Sequence, residues 1–455
     1  MVRRNLARFR PRFLAVACGL ALAASFARPA SAQEKDKQHA ITSAQRMMAG
    51  SMLESLRDAV KKDYYDPALH GVNLDARYEA YKAQLEKAPT LGDAFRVLAA
   101  FLSGLNDSHT FFDPPPRSYD VHYGYRMRIE GDRAFVVAVR PGSDAAAKLH
   151  PGDEIVKLEG YTVNRKDAWQ LEYFLNALAP RGGLHFSLRA PDGTARDEVV
   201  KTKFIEHAGL VSGLNDLYDF SVDQEDLDAK IFKQRWTTIG DKVFVWKMPN
   251  FEFDPSEADS IMRRAKDYPS LVLDLRGNPG GLVDDCTYLL GYFVTRKITV
   301  ATPQGRKHQD PTEAKPNGDH YPGKLFVVVD SGSASAAEIF ARTVQLEHLG
   351  TVVGDTSAGA VMESEVEPMN YGLMDAGSAV LYGASITVAD MIMPDGKSLE
   401  KVGVTPDVAV LPAPADLAAG RDTVLAKAVA LAGGAPDPAA LAKAFPVIWA
   451  PYGNN

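Results

Sequence analysis

The chain has 455 residues, of which 46% are hydrophobic and 24% charged, a balance that excludes a disordered or fibrous protein. Its length exceeds what one compact core organises, so we expect two or three domains. The formal net charge of −7 argues against a nucleic-acid partner, because such proteins present an excess of basic side chains.

The first 32 residues predict a signal peptide for export. Five arginines between positions 3 and 12 precede an apolar run from Phe13 to about Phe26, and residues 30–32 supply small side chains for cleavage before Gln33. The run is short for a spanning helix, and Cys18 lies too early in it for a lipid anchor. Cleavage removes six arginines and no acid, which lowers the formal charge from −7 to −13. We therefore expect a periplasmic or secreted bacterial protein without an integral membrane segment.

Residues 33–113 predict an N-terminal helical domain. Apolar residues recur at helical spacing over 43–61, and further helices are expected at 76–87 and 91–105. Asn106 and Asp107 then break the pattern, so that Ser108, His109 and Thr110 fall on a loop. The three prolines at 114–116 mark a domain boundary.

Residues 117–204 change to short strands and turns. Strands are expected at Ala134–Val139 and Glu154–Leu158, and a helix at 166–177. With the segments 142–146 and 149–155 and Gly160, this stretch resembles a PDZ domain. The resemblance implies that Tyr123, Gly124 and Tyr125 form a carboxylate-binding loop, where a peptide C-terminus adds to a sheet edge. The alternative is that these aromatic side chains only pack.

Residues 205–412 predict an α/β catalytic core, and residues 413–455 a helical tail. Strand candidates at 242–247, 271–275 and 325–329 are separated or followed by helix candidates at 255–268 and 335–347. Such alternation indicates a layered sheet with partly parallel strands.

Ser335 is the first candidate for chemistry. It follows the buried strand 324–329 and opens a helix, so its hydroxyl would lie at the sheet edge beside free helix amides. Ser331 and Ser333 precede it in the same turn. The alternative is a plain helix cap, which serine provides in many proteins.

A second strand, 271–275, ends in the glycine-rich turn 277–281, whose backbone can approach a substrate closely. No Gly-Lys-Ser/Thr sequence follows, which disfavours a phosphate loop. After loss of the signal Cys286 is the one remaining cysteine, and a buried apolar thiol is favoured over a nucleophile. The histidines are scattered without metal-ligand spacing, so no metal or other cofactor is expected.

Four motifs, at 105–110, 274–281, 333–338 and 400–407, together resemble the C-terminal processing peptidase family and its tricorn-core relatives. The resemblance implies a fold of ClpP/crotonase-like layers and a serine nucleophile at Ser335. Many members use a lysine base, but its position reads Ala360 here. The tricorn-like branch uses Ser, His, Ser and Glu, which correspond to Ser335, His109, Ser108 and Glu400.

We therefore expect a serine endopeptidase that hydrolyses proteins or peptides, held by their C-terminus on the PDZ-like domain. His109 is the base, Glu400 with Ser108 orients it, and the Ala336 amide with that of Gly280 or Gly281 holds the oxyanion. Lys397 is a fallback base. The alternatives are an esterase with the same residues and a non-catalytic peptide- or ligand-binding protein on the same fold.

Overall fold

The computed structural model of the protein describes residues 40–117, 119–206, 232–371 and 380–450. The predicted signal peptide at 1–32 lies outside the described residues. Within the described part, no helix is long and apolar enough to cross a membrane, and no group of residues is suited to hold a metal ion.

The N-terminal region is helical, as predicted. Its helices are α1 (Ser43–Asp63), α2 (Leu74–Leu85) and α3 (Leu91–Ser103). Thr42 and Gln45 form a reciprocal capping box that satisfies orphan amides at the start of α1. The helices share a hydrophobic cluster with side chains from strands β1 (Phe111–Asp113) and β18 (Val380–Ile392) of the core. This packing fixes the loop after α3 against the core.

The region from 119 to 206 is mostly strands around its own hydrophobic cluster. Its antiparallel sheet has the order β3-β4-β5-β7-β8, with β6 paired to β5, and β2 pairs with β9 beside it. The helix predicted over 166–177 is α5 followed by a π-helical turn at Phe174–Leu178. Assignment of this region to the PDZ class stays a prediction. The elements are β2 (Tyr119–His122), β3 (Tyr125–Glu130), β4 (Arg133–Val139), α4 (Asp144–Lys148), β5 (Glu154–Leu158), β6 (Tyr161–Thr162), α5 (Ala168–Tyr173), β7 (Gly183–Arg189), β8 (Ala195–Lys201) and β9 (Lys203–Glu206).

The core contains a six-stranded sheet in the order β10-β11-β12-β15-β16-β19. Only its edge strand β10 is antiparallel to its neighbour, which confirms the predicted mixed α/β layer with parallel strands. Its elements are β10 (Arg235–Ile239), β11 (Val243–Lys247), α6 (Pro255–Ala265), β12 (Ser270–Asp274), α7 (Val283–Leu290), β15 (Lys324–Val329), α8 (Ala336–Leu346), β16 (Gly350–Gly354) and β19 (Val408–Ala409).

Both faces of this sheet are covered. One face packs with α6, α7 and α8, which also contact a second sheet of order β1-β18-β13-β14 with β17 on β18. The other face packs against the C-terminal helix α10. The remaining elements are β13 (Ile298–Gly305), β14 (Thr312–Ala314), β17 (Met362–Tyr371), α9 (Pro414–Ala418), α10 (Thr423–Leu431) and α11 (Pro438–Ala444). Parallel strands place the turns after β12 and β15 at the same sheet edge, where Ser335 and the glycine turn lie.

Candidate active site

Ser335 lies between β15 and α8 in a backbone conformation that serine rarely adopts. Its φ is 53° and its ψ −121°, whereas an ordinary helix N-cap is extended. Such a conformation costs on the order of 1–3 kcal/mol and persists only where neighbours enforce it. The hydroxyls of Ser331 and Ser333 donate to the carbonyls of Ile129 and Leu275, at 2.7 and 2.8 Å. Ser335 therefore holds the N-cap position, but it is no ordinary cap.

The glycine turn after β12 lies directly against Ser335. A Cβ on Gly280, whose φ is 100°, would lie 2.6 Å from the Ser335 Cβ and 3.0 Å from the Ala336 nitrogen. The Gly280 amide donates to Asn278 Oδ1 at 2.9 Å. Among the described residues, the amides of Ala336 and Gly281 have no acceptor. Of the two glycines predicted as oxyanion donors, Gly281 is therefore the one whose amide has no acceptor in the described part of the chain.

Glu338, in the first turn of α8, organises the backbone around Ser335. Its carboxylate is fully buried and accepts hydrogen bonds from the amides of Ser335 (3.1 Å), Gly359 (2.7 Å) and Ala360 (2.8 Å) and from the Ser357 hydroxyl (2.6 Å). Burial raises the pKa of Glu338 to about 7, although all four donors oppose the rise. The Ser335 amide also donates to the Ala360 carbonyl at 2.8 Å. Glu338 thus joins the turn that carries Ser335 to the loop 357–360.

His109, Ser108 and Glu400 form a continuous hydrogen-bond chain. The Ser108 hydroxyl donates to Glu400 Oε2 at 2.7 Å and lies 2.6 Å from His109 Nδ1. While Glu400 is ionised, the single hydroxyl proton of Ser108 is donated in a hydrogen bond to Glu400, so Nδ1 carries the ring proton and donates it to the Ser108 oxygen. The other ring nitrogen, Nε2, is then left as a proton acceptor.

Asp107 holds the loop that presents His109. It accepts from the amides of His109 and Thr110 at 2.9 and 2.8 Å and from the hydroxyls of Thr387 and Tyr64 at 2.5 and 2.9 Å. Asn106, with φ 62°, makes the bend that follows α3. The helical domain therefore supplies the histidine through a turn that is anchored to strand β18.

The two halves of the site meet through Val361. Its amide donates to Glu400 Oε2 at 3.1 Å, and the preceding residue, Ala360, accepts from the Ser335 amide. The predicted site residues Ser335, Glu400, Ser108 and His109 are thus joined by hydrogen bonds together with the Ala360–Val361 peptide bond. Ala360 stands at the position where the family resemblance implies a lysine in many members. Its carbonyl accepts the hydrogen bond from the Ser335 amide, so it lies directly beside Ser335.

Burial shifts the pKa values of His109 and Glu400, the two titratable groups in this hydrogen-bond chain, in the directions that favour their neutral forms. It lowers the pKa of His109 to about 4 and raises that of Glu400 to about 8. The Ser108 and Val361 donors oppose the shift of Glu400 because they stabilise its ionised form. Its Oε1 is buried without a hydrogen-bond partner among the described residues. Little energy therefore separates the two protonation states of this carboxyl near neutral pH.

Other sequence candidates lie elsewhere. Lys397 is exposed in the loop after β18. Cys286 is buried in the core, and burial raises the pKa of its thiol far above its usual range, which fits the apolar interpretation. Tyr123, Gly124 and Tyr125 line a cavity of about 130 Å³ in the strand-rich region. The Tyr123 hydroxyl donates to the Leu175 carbonyl at 2.8 Å, and the Tyr125 ring packs edge-on against Phe186.

The sequence arguments missed the role of Glu338. The signal was present, because Ser335 and Glu338 have the Ser-x-x-Glu spacing of a capping box. The capping-box spacing indicates only that Glu338 belongs to the start of a helix. Its hydrogen bonds with residues 357–360 depend on the tertiary structure, which brings that loop against α8.

Comparison with known proteins shows what the chain is similar to. Residues 242–410 match the model of peptidase family S41. The tail-specific protease of Haemophilus influenzae is 25% identical over 322 residues, which is 66% of this chain and 43% of that protein. The carboxy-terminal processing protease CtpB of Bacillus subtilis is 25% identical over 332 residues, 69% of this chain and 62% of that protein. The predicted resemblance to the C-terminal processing peptidases is thereby confirmed.

A structure of mature CPAF complexed with lactacystin aligns with a TM-score of 0.61 at 17% identity, over 83% of this chain and 96% of that one. At this identity the likeness establishes a shared fold. The chain spans 43% and 62% of the two curated relatives' lengths, so each contains residues without a counterpart here.

Replacing Glu338 with glutamine should lower the free energy of unfolding by about 2–4 kcal/mol, because buried donors left without an acceptor cost roughly 1–3 kcal/mol each. Chemical denaturation measures the change. The matched control is Glu347→Gln at the other end of α8, whose carboxylate pairs with the exposed Arg296. That change should cost less than about 1 kcal/mol. An equal loss of unfolding free energy in the two variants would show that the hydrogen bonds of Glu338 stabilise the fold no more than the exposed ion pair of Glu347 does.

Proposed function

We propose that this chain is an exported serine endopeptidase with Ser335 as its nucleophile. The observation that carries the proposal is the chain of contacts that joins Ser335, through Ala360 and Val361, to Glu400, Ser108 and His109. The match of residues 242–410 to peptidase family S41 supports the same class of reaction. The relatives named as proteases extend this support to a protein or peptide substrate.

In the proposed reaction the Ser335 Oγ attacks the carbonyl carbon of a peptide bond, and its proton passes to His109 Nε2. The developing oxyanion accepts from the amides of Ala336 and Gly281, each worth roughly 3–4 kcal/mol when well placed. His109 then returns the proton to the leaving amine as the C–N bond breaks. Water repeats the sequence on the acyl-enzyme and releases the acid.

Glu400 acts on the histidine through Ser108 in this proposal. While Glu400 is ionised, it accepts a hydrogen bond from the Ser108 hydroxyl, so the Ser108 oxygen accepts from Nδ1–H and stabilises the imidazolium form. When Glu400 is protonated, its own O–H can donate to Ser108. The Ser108 proton then turns toward Nδ1, and the remaining ring proton sits on Nε2, which can no longer act as the base.

Export and peptide capture belong to the same proposal. The arginine-rich and apolar first 32 residues support export. A cavity beside Tyr123, Gly124 and Tyr125, at the edge strand β3, supports a place where a substrate's C-terminus is held.

A fluorophosphonate probe tests the nucleophile. We expect stoichiometric labelling of the purified protein, lost in Ser335→Ala and retained in Ser331→Ala, since the Ser331 hydroxyl is engaged with the Ile129 carbonyl. His109→Ala should lower the peptidase rate by a factor on the order of 10²–10⁴, as loss of a general base does. Lys397→Ala should leave the rate unchanged. Absence of labelling at every pH tested, with peptide binding intact, would point to a binding protein instead.

The pH dependence of kcat/KM tests Glu400. The active form needs neutral His109 and ionised Glu400, so both groups must lose protons and kcat/KM should rise with pH. The first rise falls near the His109 pKa of about 4, and the decisive second rise near the Glu400 pKa of about 8.

Glu400→Gln is the control for this profile, because its amide oxygen can accept from Ser108 but does not titrate. It should lower the plateau and abolish the rise near pH 8. A rise near pH 8 that survived in Glu400→Gln would assign it to another group.

A further inference from the structure

A groove in the strand-rich region has the form of a peptide site. Strand β3 is the end strand of its sheet within the described residues, and α5 with the turn after it forms the opposite wall. Tyr125, Arg126 and Met127 come from the strand side, and Glu172 and Leu175 from the helix side. An edge strand facing a helix lets an extended peptide add to the sheet while its side chains contact the helix.

The chain's own C-terminal segment reaches this groove. Phe445, just after α11, packs against the hydrophobic cluster on the outer face of the core sheet. The next carbonyl, of Pro446, accepts from Arg235 Nη1 on β10 at 2.8 Å. Trp449 and Ala450 then line the same cavity as the Tyr123 loop. The segment is therefore anchored on the core and ends on the strand-rich region.

Trp449 makes the specific contact of this segment. The guanidinium carbon of Arg126 lies 5.5 Å from the centroid of the Trp449 ring, within the range of a cation–π interaction. Val447, two residues earlier, remains 44% exposed and does not line the cavity. The contact of the segment with the groove thus lies at Trp449 and Ala450, and the aromatic part of it is made by Trp449.

We propose that residues 446–450 are an intramolecular occupant of this groove and compete there with peptides that carry an aromatic side chain. The inference rests on the proposed function in one respect, that the groove is where substrate peptides are held. Arg126 offers a flat cation to an aromatic ring from either source. The docked segment also bridges the core and the strand-rich region, so its release frees the groove and removes a link between them.

Competition of this kind lowers the apparent affinity for an external peptide in proportion to the fraction of molecules with a free groove. A segment docked in about nine molecules of ten weakens peptide binding roughly tenfold. Removing the ring of Trp449 restores the intrinsic affinity without altering the groove.

The test uses the full chain carrying Ser335→Ala, which prevents cleavage, and a fluorescein-labelled peptide of residues 446–450, in which Trp449 is the one aromatic residue. Fluorescence anisotropy measures its dissociation constant. We expect Trp449→Ala to tighten binding roughly tenfold and Val447→Ala to leave it unchanged. A peptide with alanine in place of its tryptophan should bind weakly to every variant.

A second variant tests whether Trp449→Ala acts by releasing the segment or only by changing the lining of the groove. Arg235→Ala removes the anchor of Pro446 outside the groove, so it should also tighten peptide binding. Equal affinities in the Trp449→Ala, Arg235→Ala and Val447→Ala proteins would overturn the inference, as would tight binding of the alanine peptide.

Labelling of Ser335 by the fluorophosphonate, measured on the same tail variants with Ser335 intact, separates this inference from the proposed function. Labelling with unchanged peptide affinities overturns the tail inference alone. Tail-dependent affinity without labelling supports the tail inference and overturns the peptidase proposal alone.

Discussion

The arrangement around Ser335 depends on one buried carboxylate. The Glu338 carboxylate is fully buried in the core and accepts hydrogen bonds from three amides and one hydroxyl. A charged group in such a place is tolerated only with its donors complete, so each donor is held where the carboxylate needs it. The constraint explains how serine can keep a φ of 53° at the start of α8. It also places Ala360 against Ser335 and directs Val361 toward Glu400.

The remainder of the site comes from separate regions, and packing between them determines its geometry. Ser108 and Glu400 are 292 residues apart and meet at 2.7 Å. Their meeting depends on the hydrophobic cluster that α1 and α3 share with β1 and β18, and on Asp107, which ties the histidine loop to Thr387. A change in the packing of the helical domain therefore acts on the orientation of His109 without touching Ser335.

A small side chain at position 360 and a histidine at 109 are complementary features of this chain. Ala360 itself carries no amine, and the proposed reaction therefore uses His109 as the base. While Glu400 is ionised, its hydrogen bond with Ser108 leaves His109 the tautomer that this proposal requires. Burial raises the pKa of Glu400 to about 8, so the direction of the hydrogen bonds between Glu400, Ser108 and His109 can change in the neutral to alkaline pH range.

Local patterns in the sequence determined the elements. The period of the apolar residues predicted α1, α3 and the parallel core strands, because a helix or strand must bury one face or both. The turn residues predicted where Ser335 and the glycine turn would fall. The local pattern around Ser335, taken by itself, favoured a helix cap. The interpretation of Ser335 as a nucleophile came from the family resemblance.

Tertiary structure decided what no local pattern encodes. The hydrogen bonds from Gly359 and Ala360 to Glu338 and from Val361 to Glu400 join segments through folding, as does the cation–π contact of Arg126 with Trp449. The Gly280 amide was an equal candidate with that of Gly281 until its acceptor was visible. Composition and periodicity report which face of an element is buried, whereas the partner of a buried polar group depends on where distant elements are brought by the hydrophobic clusters.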